Sequence, residues 1–187
     1  QAEDGIRDYK VTGVQTCALP ICKSALARAF ARSLPREVLR LEGRSFQREL
    51  VPFKALDGAI DALSRYLLSL SDAQVSGLLP RRAALLGQLF PVLARVPVIA
   101  NAPHAVGMQG DLRARSVDAL RELLARIGDR VPIVVLLDDV QWGDVDSARL
   151  LADLLAPPES VPLFVLMTRR PDDPDADTFM EIGRAHV

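Results

Sequence analysis

The pattern of hydrophobic and polar residues is most informative around Ile133–Leu137, where five consecutive apolar residues lead directly into Asp138 and Asp139. An apolar run of this length, rich in β-branched residues and bounded by turn signals, predicts a strand that is buried on both faces. Burying two carboxylates at the end of such a strand is energetically unfavourable unless a metal, a water or a ligand binds them. The stretch 131–144 is therefore either a core strand that ends in a solvated Asp pair or a strand that carries a ligand site.

Apolar residues at helical spacing predict four helices, over 23–34, 51–70, 80–94 and 113–127. In the second of these, Leu56, Ile60 and Leu63 follow one another at intervals of three and four. Pro91 is expected to kink or shorten the third helix because proline has no backbone N–H. A further helix follows the acidic strand, with Asp146 or Ser147 as its expected cap. The segment 97–111, which contains His104, is predicted to be a loop.

Two more strands are predicted, at 38–43 and at 162–167. Strands that alternate with helices indicate βαβ units, so the predicted fold is α/β, with a parallel sheet and flanking helices. Ligands of such sheets bind at the carboxyl ends of the strands. One crevice can then collect Asp138, Asp139 and Arg169 from strand ends, with Lys23 and Ser24 from a helix start. A lysine, a hydroxyl, two carboxylates and an arginine are the groups that hold a nucleoside triphosphate and its Mg²⁺.

The composition excludes several classes of protein. The chain has 187 residues, of which 49% are hydrophobic and 25% are charged, and its formal net charge is −1. This balance gives no indication of nucleic-acid or membrane-surface binding. No apolar run reaches the roughly 18 residues of a membrane span, and no signal peptide is visible. We therefore expect one cytoplasmic domain that makes no direct contact with nucleic acid or membrane.

Both ends of the chain are typical of translated sequencing adapter, in blocks of residues 1–22 and 181–187. The adapter codons CAA GCA GAA GAC GGC ATA CGA GAT, for instance, encode the first eight residues. Cys17 and Cys22 lie in the first block, so they say nothing about redox compartment or metal binding. A glycine codon whose first base is replaced by the adapter's T becomes a cysteine codon, so Cys22 is what a truncated Gly-Lys-Ser would look like. We expect residues 23–180 to be a partial domain and both end blocks to be artefacts.

The motifs together resemble a known family. Lys23-Ser24, then V-V-L-L-D-D-V-Q-W-G-D, then L-F-V-L-M-T-R-R, are similar to the P-loop ATPase domains of the AAA/STAND signalling group. Such domains occur in large bacterial regulators beside serine/threonine kinase, adenylate cyclase or LuxR-type DNA-binding domains. The segment 42–63 is similar to the kinase-associated modules. The resemblance covers most of residues 23–170 and implies a three-layer P-loop fold whose first strand and glycine-rich loop are missing here.

The resemblance also implies roles for individual residues. Lys23 would contact the β- and γ-phosphates of ATP, and Ser24 would ligate Mg²⁺. Asp138 would hold Mg²⁺ through water, Asp139 would polarise the attacking water, and Arg169 would sense the γ-phosphate. Gln141 and Trp142 belong to the signature, and we interpret them as packing residues beneath the following helix.

The resemblance predicts an ATP-driven switch domain that works with other domains of a larger parent chain. Because the glycines of G-x-x-x-x-G-K-[ST] are absent, we expect the 187-residue chain to bind ATP poorly. Because a central strand is missing and sheet edges are left open, we also expect the chain to be unstable. Two alternatives remain open. One is a non-hydrolysing α/β scaffold or protein-interaction module, and the other is a different P-loop enzyme such as a small-molecule kinase.

Overall fold

The computed structural model describes residues 23–47, 52–103, 111–156 and 161–170. Its centre is a three-stranded parallel sheet in the order β1-β2-β3, formed by β1 (Leu39–Arg44), β2 (Ile133–Asp138) and β3 (Leu163–Met167). The register pairs Leu41 with Val135 and Val135 with Val165. All strands therefore end at one edge of the sheet, and β2 lies between the other two.

Helices connect and cover the strands. They are α1 (Lys23–Ser33), α2 (Lys54–Leu68), α3 (Asp72–Ser76), α4 (Ala84–Leu89), α5 (Pro97–Ala100), α6 (Leu112–Gly128) and α7 (Val145–Leu155). Short 3₁₀ helices cover Pro91–Arg95 and Val140–Trp142. The predicted α/β class is confirmed, as are helices and strands close to the predicted positions.

The two faces of the sheet differ in size. On one face, Leu41, Val135 and Leu137 join the main core with residues of α2, α6 and α7. On the other face, Ala27 and Ala31 of α1 pack on Leu136 of β2. Every residue of β2 is buried, as expected for a central strand that is covered on both faces. Helix α1 is thereby fixed with its first residues near the carboxyl end of β2.

Glycine allows α2 to pack unusually close to β1. A Cβ added at Gly43 would lie 2.4 Å from the carbonyl oxygen of Ala55, and a Cβ at Gly58 would lie 2.7 Å from the carbonyl oxygen of Glu42. Both contacts involve backbone, which cannot move away as a side chain can. The start of α2 is therefore held tightly against the carboxyl end of β1.

One local prediction is confirmed and two differ from the structure. The helix predicted over 80–94 is shortened at Pro91, as expected: it covers Ala84–Leu89, and Phe90 is extended, as residues before proline tend to be. Part of the predicted loop 97–111 forms α5. The cap of α7 is Asp144 rather than Asp146 or Ser147, because the Asp144 carboxylate accepts the backbone N–H of Ser147.

Helix α3 was not predicted, although the sequence carries a signal for it. Ser71 accepts the backbone N–H of Gln74, and the Gln74 side chain accepts the N–H of Ser71. This reciprocal capping box stabilises a helix of only five residues.

His104 lies outside the described residues, so its predicted exposure stays a prediction. None of the helices in the described ranges combines the length and apolar character that a membrane crossing requires.

Candidate functional site

The carboxyl ends of the strands form a cluster of charged and polar side chains. Asp138 is the last residue of β2, and Arg44 is the last residue of β1. Thr168 follows β3 directly. Asp139 has a left-handed backbone, with φ 59°, which is uncommon for a residue other than glycine but is tolerated best by Asn and Asp. This turn ends the strand and begins the 3₁₀ helix Val140–Trp142.

Asp138 is the buried centre of the cluster. Its Oδ1 accepts hydrogen bonds from the Ser24 hydroxyl at 2.7 Å and from the Thr168 hydroxyl at 2.5 Å. Its Oδ2 lies 3.3 Å from a guanidinium nitrogen of Arg28 and 3.8 Å from Nε of Arg44. The side chain is only 5% exposed. A buried carboxylate therefore stays charged by means of two hydroxyls and two arginines.

The balance of these effects lowers the pKa of Asp138. Burial alone raises the pKa, because it disfavours the charged form. Hydrogen bonds from Ser24, Thr168 and Arg28, together with the positive charge of Arg44, outweigh burial. Asp138 is accordingly ionised at neutral pH.

Asp139 is oriented by an ion pair with Arg44 and by hydrogen bonds with Gln141 and Thr168. Its Oδ2 lies 3.1 Å from Nη2 of Arg44, and its Oδ1 accepts from Nε2 of Gln141 at 3.3 Å. Its backbone N–H donates to the Thr168 hydroxyl at 3.1 Å. Gln141 is buried and also accepts the backbone N–H of Arg170 at 3.2 Å. Gln141 thus does more than pack, since it ties the Asp139 side chain to the segment after β3.

Asp144, the last acid of the signature, connects two helix starts. Its carboxylate accepts the backbone N–H groups of Phe53 and Ala55 at 2.9 and 3.2 Å, at the start of α2. It also accepts the N–H and hydroxyl of Ser147 at 2.8 and 2.6 Å, at the start of α7. Burial raises the pKa of Asp144, but these hydrogen bonds more than offset it, so the net pKa lies below its ordinary value.

The structure brings part of the predicted site together. Ser24, in the first turn of α1, contacts Asp138 directly. Lys23 precedes Ser24 as the first residue of α1, and Asp139 adjoins Asp138. Arg169 lies two residues beyond β3, where it was predicted, and is partly buried. Its neighbour Thr168 hydrogen-bonds with both acids of the pair.

Four contributors were missed from sequence: Arg28, Arg44, Asp144 and Thr168. Arg44 and Thr168 lie at strand ends, so the rule that indicated Asp138 applies equally to them. Arg28 follows Ser24 by four residues and so lies on the same face of α1. Asp144 could have been identified as the cap of α7, but its link to the start of α2 gave no local signal, because those partners are about 90 positions away in the chain.

A cavity of about 740 Å³ adjoins Asp138. It lies between α1, β1 and α2, and its lining combines basic side chains (Arg28, Arg44, Lys54, Arg95) with acidic ones (Glu42, Asp57, Asp61, Asp138). The cavity is large enough for a small-molecule ligand. Arg28, Arg44 and Asp138 all line it.

Comparison with known proteins identifies the domain. A family model described as AAA ATPase domain matches residues 21–166. No curated protein and no solved structure matches the chain. The matched residues include Ser24 and Asp138 and extend into β3. The chain therefore belongs to the AAA ATPase domain family.

Proposed function

We propose that the strand-end site binds ATP with Mg²⁺ and hydrolyses it, and that the domain acts as a nucleotide-dependent switch in a bacterial signalling protein. Membership of the AAA ATPase family supports nucleotide binding. The observation that carries the proposal is the 2.7 Å hydrogen bond from Ser24 to Asp138. It joins the hydroxyl of a Lys-Ser helix start to the carboxylate at the end of a buried strand.

The side chains present suit Mg²⁺ in a nucleotide complex. Within the described residues, no group of three or more His, Cys, Asp and Glu side chains could hold a metal ion. Mg²⁺ in nucleotide sites is commonly held by one or two carboxylates together with phosphate oxygens and water. Ser24 and Asp138 provide a hydroxyl and an ionised carboxylate for that arrangement. Bound Mg²⁺ would neutralise charge on the phosphates.

The other residues would act on the nucleotide itself. Lys23, at the start of α1, would contact the β- and γ-phosphates, where the helix dipole also favours an anion. Asp139 would orient and polarise the attacking water, with Gln141 holding one of its oxygens at 3.3 Å. Arg169 would sense the γ-phosphate from the end of β3. Phosphoryl transfer depends mostly on such charge placement and alignment.

The phosphate loop is where this chain departs from the motif. Cys17 and Cys22 stand where G-x-x-x-x-G-K-[ST] has its two glycines, and both lie outside the described residues. We attribute the blocks 1–22 and 181–187 to sequencing adapter, so the natural residues before Lys23 would differ. The same proposal includes a signalling role and a cytoplasmic location. It also includes partner domains in a larger chain, such as a kinase, a cyclase or a DNA-binding domain.

The test is nucleotide binding by two proteins. One is the 187-residue chain, and the other carries the residues that genomic DNA, sequenced with a different library chemistry, encodes before Lys23. We expect the second protein to bind a fluorescent ATP analogue in a Mg²⁺-dependent way, and Ser24→Ala to weaken that binding. If genomic DNA encodes no glycine-rich loop and neither protein binds ATP, the domain is a non-hydrolysing scaffold or interaction module instead.

A further inference from the structure

Arg44 spans both carboxylates of the acidic pair. Its Nη2 lies 3.1 Å from Oδ2 of Asp139, and its Nε lies 3.8 Å from Oδ2 of Asp138. A single guanidinium thus lies close to one oxygen of each acid. The two acids are adjacent in the chain, and because their charges repel at this separation, a cation between them stabilises both.

The two oxygens of Asp138 have different kinds of partners. Oδ1 accepts the hydroxyls of Ser24 and Thr168, which are neutral and come from buried or partly buried positions. Oδ2 faces the charged groups of Arg28 and Arg44. The hydroxyls hold the carboxylate in place, while the arginines neutralise it. A metal ion that approached Oδ2 would meet these two positive charges.

Arg44 is held loosely compared with the acids. Its side chain is 49% exposed, whereas the side chains of Asp138 and Asp139 are 5% and 16% exposed. Its guanidinium carbon also lies 5.3 Å from the centre of the Phe46 ring, and Phe46 is itself 51% exposed. Half-exposed ion pairs and cation–π contacts are individually weak. The adjoining cavity gives the side chain room to turn away from the acids.

We propose that Arg44 is an exchangeable internal cation, which balances Asp138 and Asp139 when no divalent metal is bound and leaves them when one binds. The inference rests on the proposed metal-binding role of this pair and adds a regulatory element to it. Metal binding would displace a guanidinium rather than fill an unbalanced acidic site. The apparent metal affinity would be reduced by the free energy of the Arg44 contacts, and the released guanidinium would face the cavity.

The test is Mn²⁺ binding to the full 187-residue chain without nucleotide, measured by electron paramagnetic resonance with Mg²⁺ as competitor. We expect Arg44→Ala to bind Mn²⁺ about fivefold more tightly than the unchanged chain, given two weak ion pairs. Arg95→Ala is the matched control. Arg95 lines the same cavity and carries the same charge, but it pairs with Asp61 at 3.8 Å. The control should change the affinity less than twofold.

Additional variants make each outcome decisive. If Arg44→Ala does not fold, Arg44→Lys keeps the charge but removes the fork that spans both acids, and it should bind Mn²⁺ about twofold more tightly. Adding Asp138→Asn to Arg44→Ala should abolish the gain. If neither Arg44 variant binds more tightly than the Arg95→Ala control, or if the gain survives Asp138→Asn, the proposal is overturned. Failure of the proposed function would instead appear as absent ATP binding by the chain with its natural residues before Lys23.

Discussion

The backbone N–H of Phe53 donates a 2.9 Å hydrogen bond to Oδ1 of Asp144, although 91 positions separate the two residues. Phe53 has a left-handed backbone, with φ 63°, and precedes α2. Asp144 also caps α7, so one carboxylate fixes the starts of two helices. The loop after the acidic pair is thereby joined to the helix that packs on β1. This relationship gives the final Asp of the D-D-V-Q-W-G-D stretch a structural role.

We predict that the stabilising effect of Asp144 depends on pH. The folded-state pKa of Asp144 is lowered, so its stabilising contribution is complete above the unfolded pKa of about 3.9. It is lost as pH falls through the folded pKa. Asp144→Asn should reduce the free energy of unfolding by about 1–3 kcal/mol at pH 7. The difference from the unchanged chain should shrink as pH falls below about 4.

Urea unfolding of both proteins between pH 3 and pH 7 checks this prediction. Asp146→Asn is a suitable control, because Asp146 is also near the start of α7 but pairs with Arg113 in a contact that is partly open to solvent. A difference for Asp144→Asn that stays constant across the pH range would contradict the account.

Thr168 is predicted to stabilise the site through its hydroxyl. That hydroxyl donates to Asp138 at 2.5 Å and accepts the backbone N–H of Asp139 at 3.1 Å, and Thr168 is buried. Thr168→Val keeps the shape but removes both hydrogen bonds, so it should destabilise the domain by about 1–3 kcal/mol. Thr168→Ser keeps the hydroxyl and should retain most of the stability. Equal urea midpoints for the Val and Ser variants would show that the hydroxyl is unimportant.

Because α2 packs closely on β1, we predict that replacing Gly43 destabilises the domain. Gly43→Ala would place a methyl group 2.4 Å from the Ala55 carbonyl oxygen, so the backbone would have to shift. The free energy of unfolding should fall by about 1–3 kcal/mol. Gly77→Ala is the control, since its added Cβ would meet Arg130 at an ordinary 3.4 Å. Thermal unfolding should separate the two variants by several degrees, and matching midpoints would refute the packing argument.

Much of the fold could be predicted from the sequence, because its signals are local. The apolar run of β2 and the helical spacing of Leu56, Ile60 and Leu63 depend on neighbouring residues alone. The α/β class followed from the alternation of these elements. The break before Pro91 was likewise expected from proline chemistry.

The site was less predictable, because its contacts join distant parts of the chain. Ser24 and Asp138 could be paired only by assuming a crevice at the strand ends, and Arg44 could have been included on the same assumption. The link from Asp144 to Phe53 depends on how α2 approaches the loop after β2, which no periodicity indicates. Gln141 was interpreted as a packing residue, yet it is buried, donates a hydrogen bond to Asp139 and accepts one from the backbone N–H of Arg170.

We propose that Ser24, Asp138 and Asp139 form the metal-binding and water-activating part of an ATPase site. The most direct measurement is Mg²⁺-dependent ATP hydrolysis by the protein that carries the natural residues before Lys23, beside its Asp139→Asn variant. We predict that the unchanged protein hydrolyses ATP, and that Asp139→Asn lowers kcat by about 100-fold or more while ATP binding is kept. Hydrolysis that persists unchanged in the variant, or ATP binding without any hydrolysis in the unchanged protein, would contradict the account.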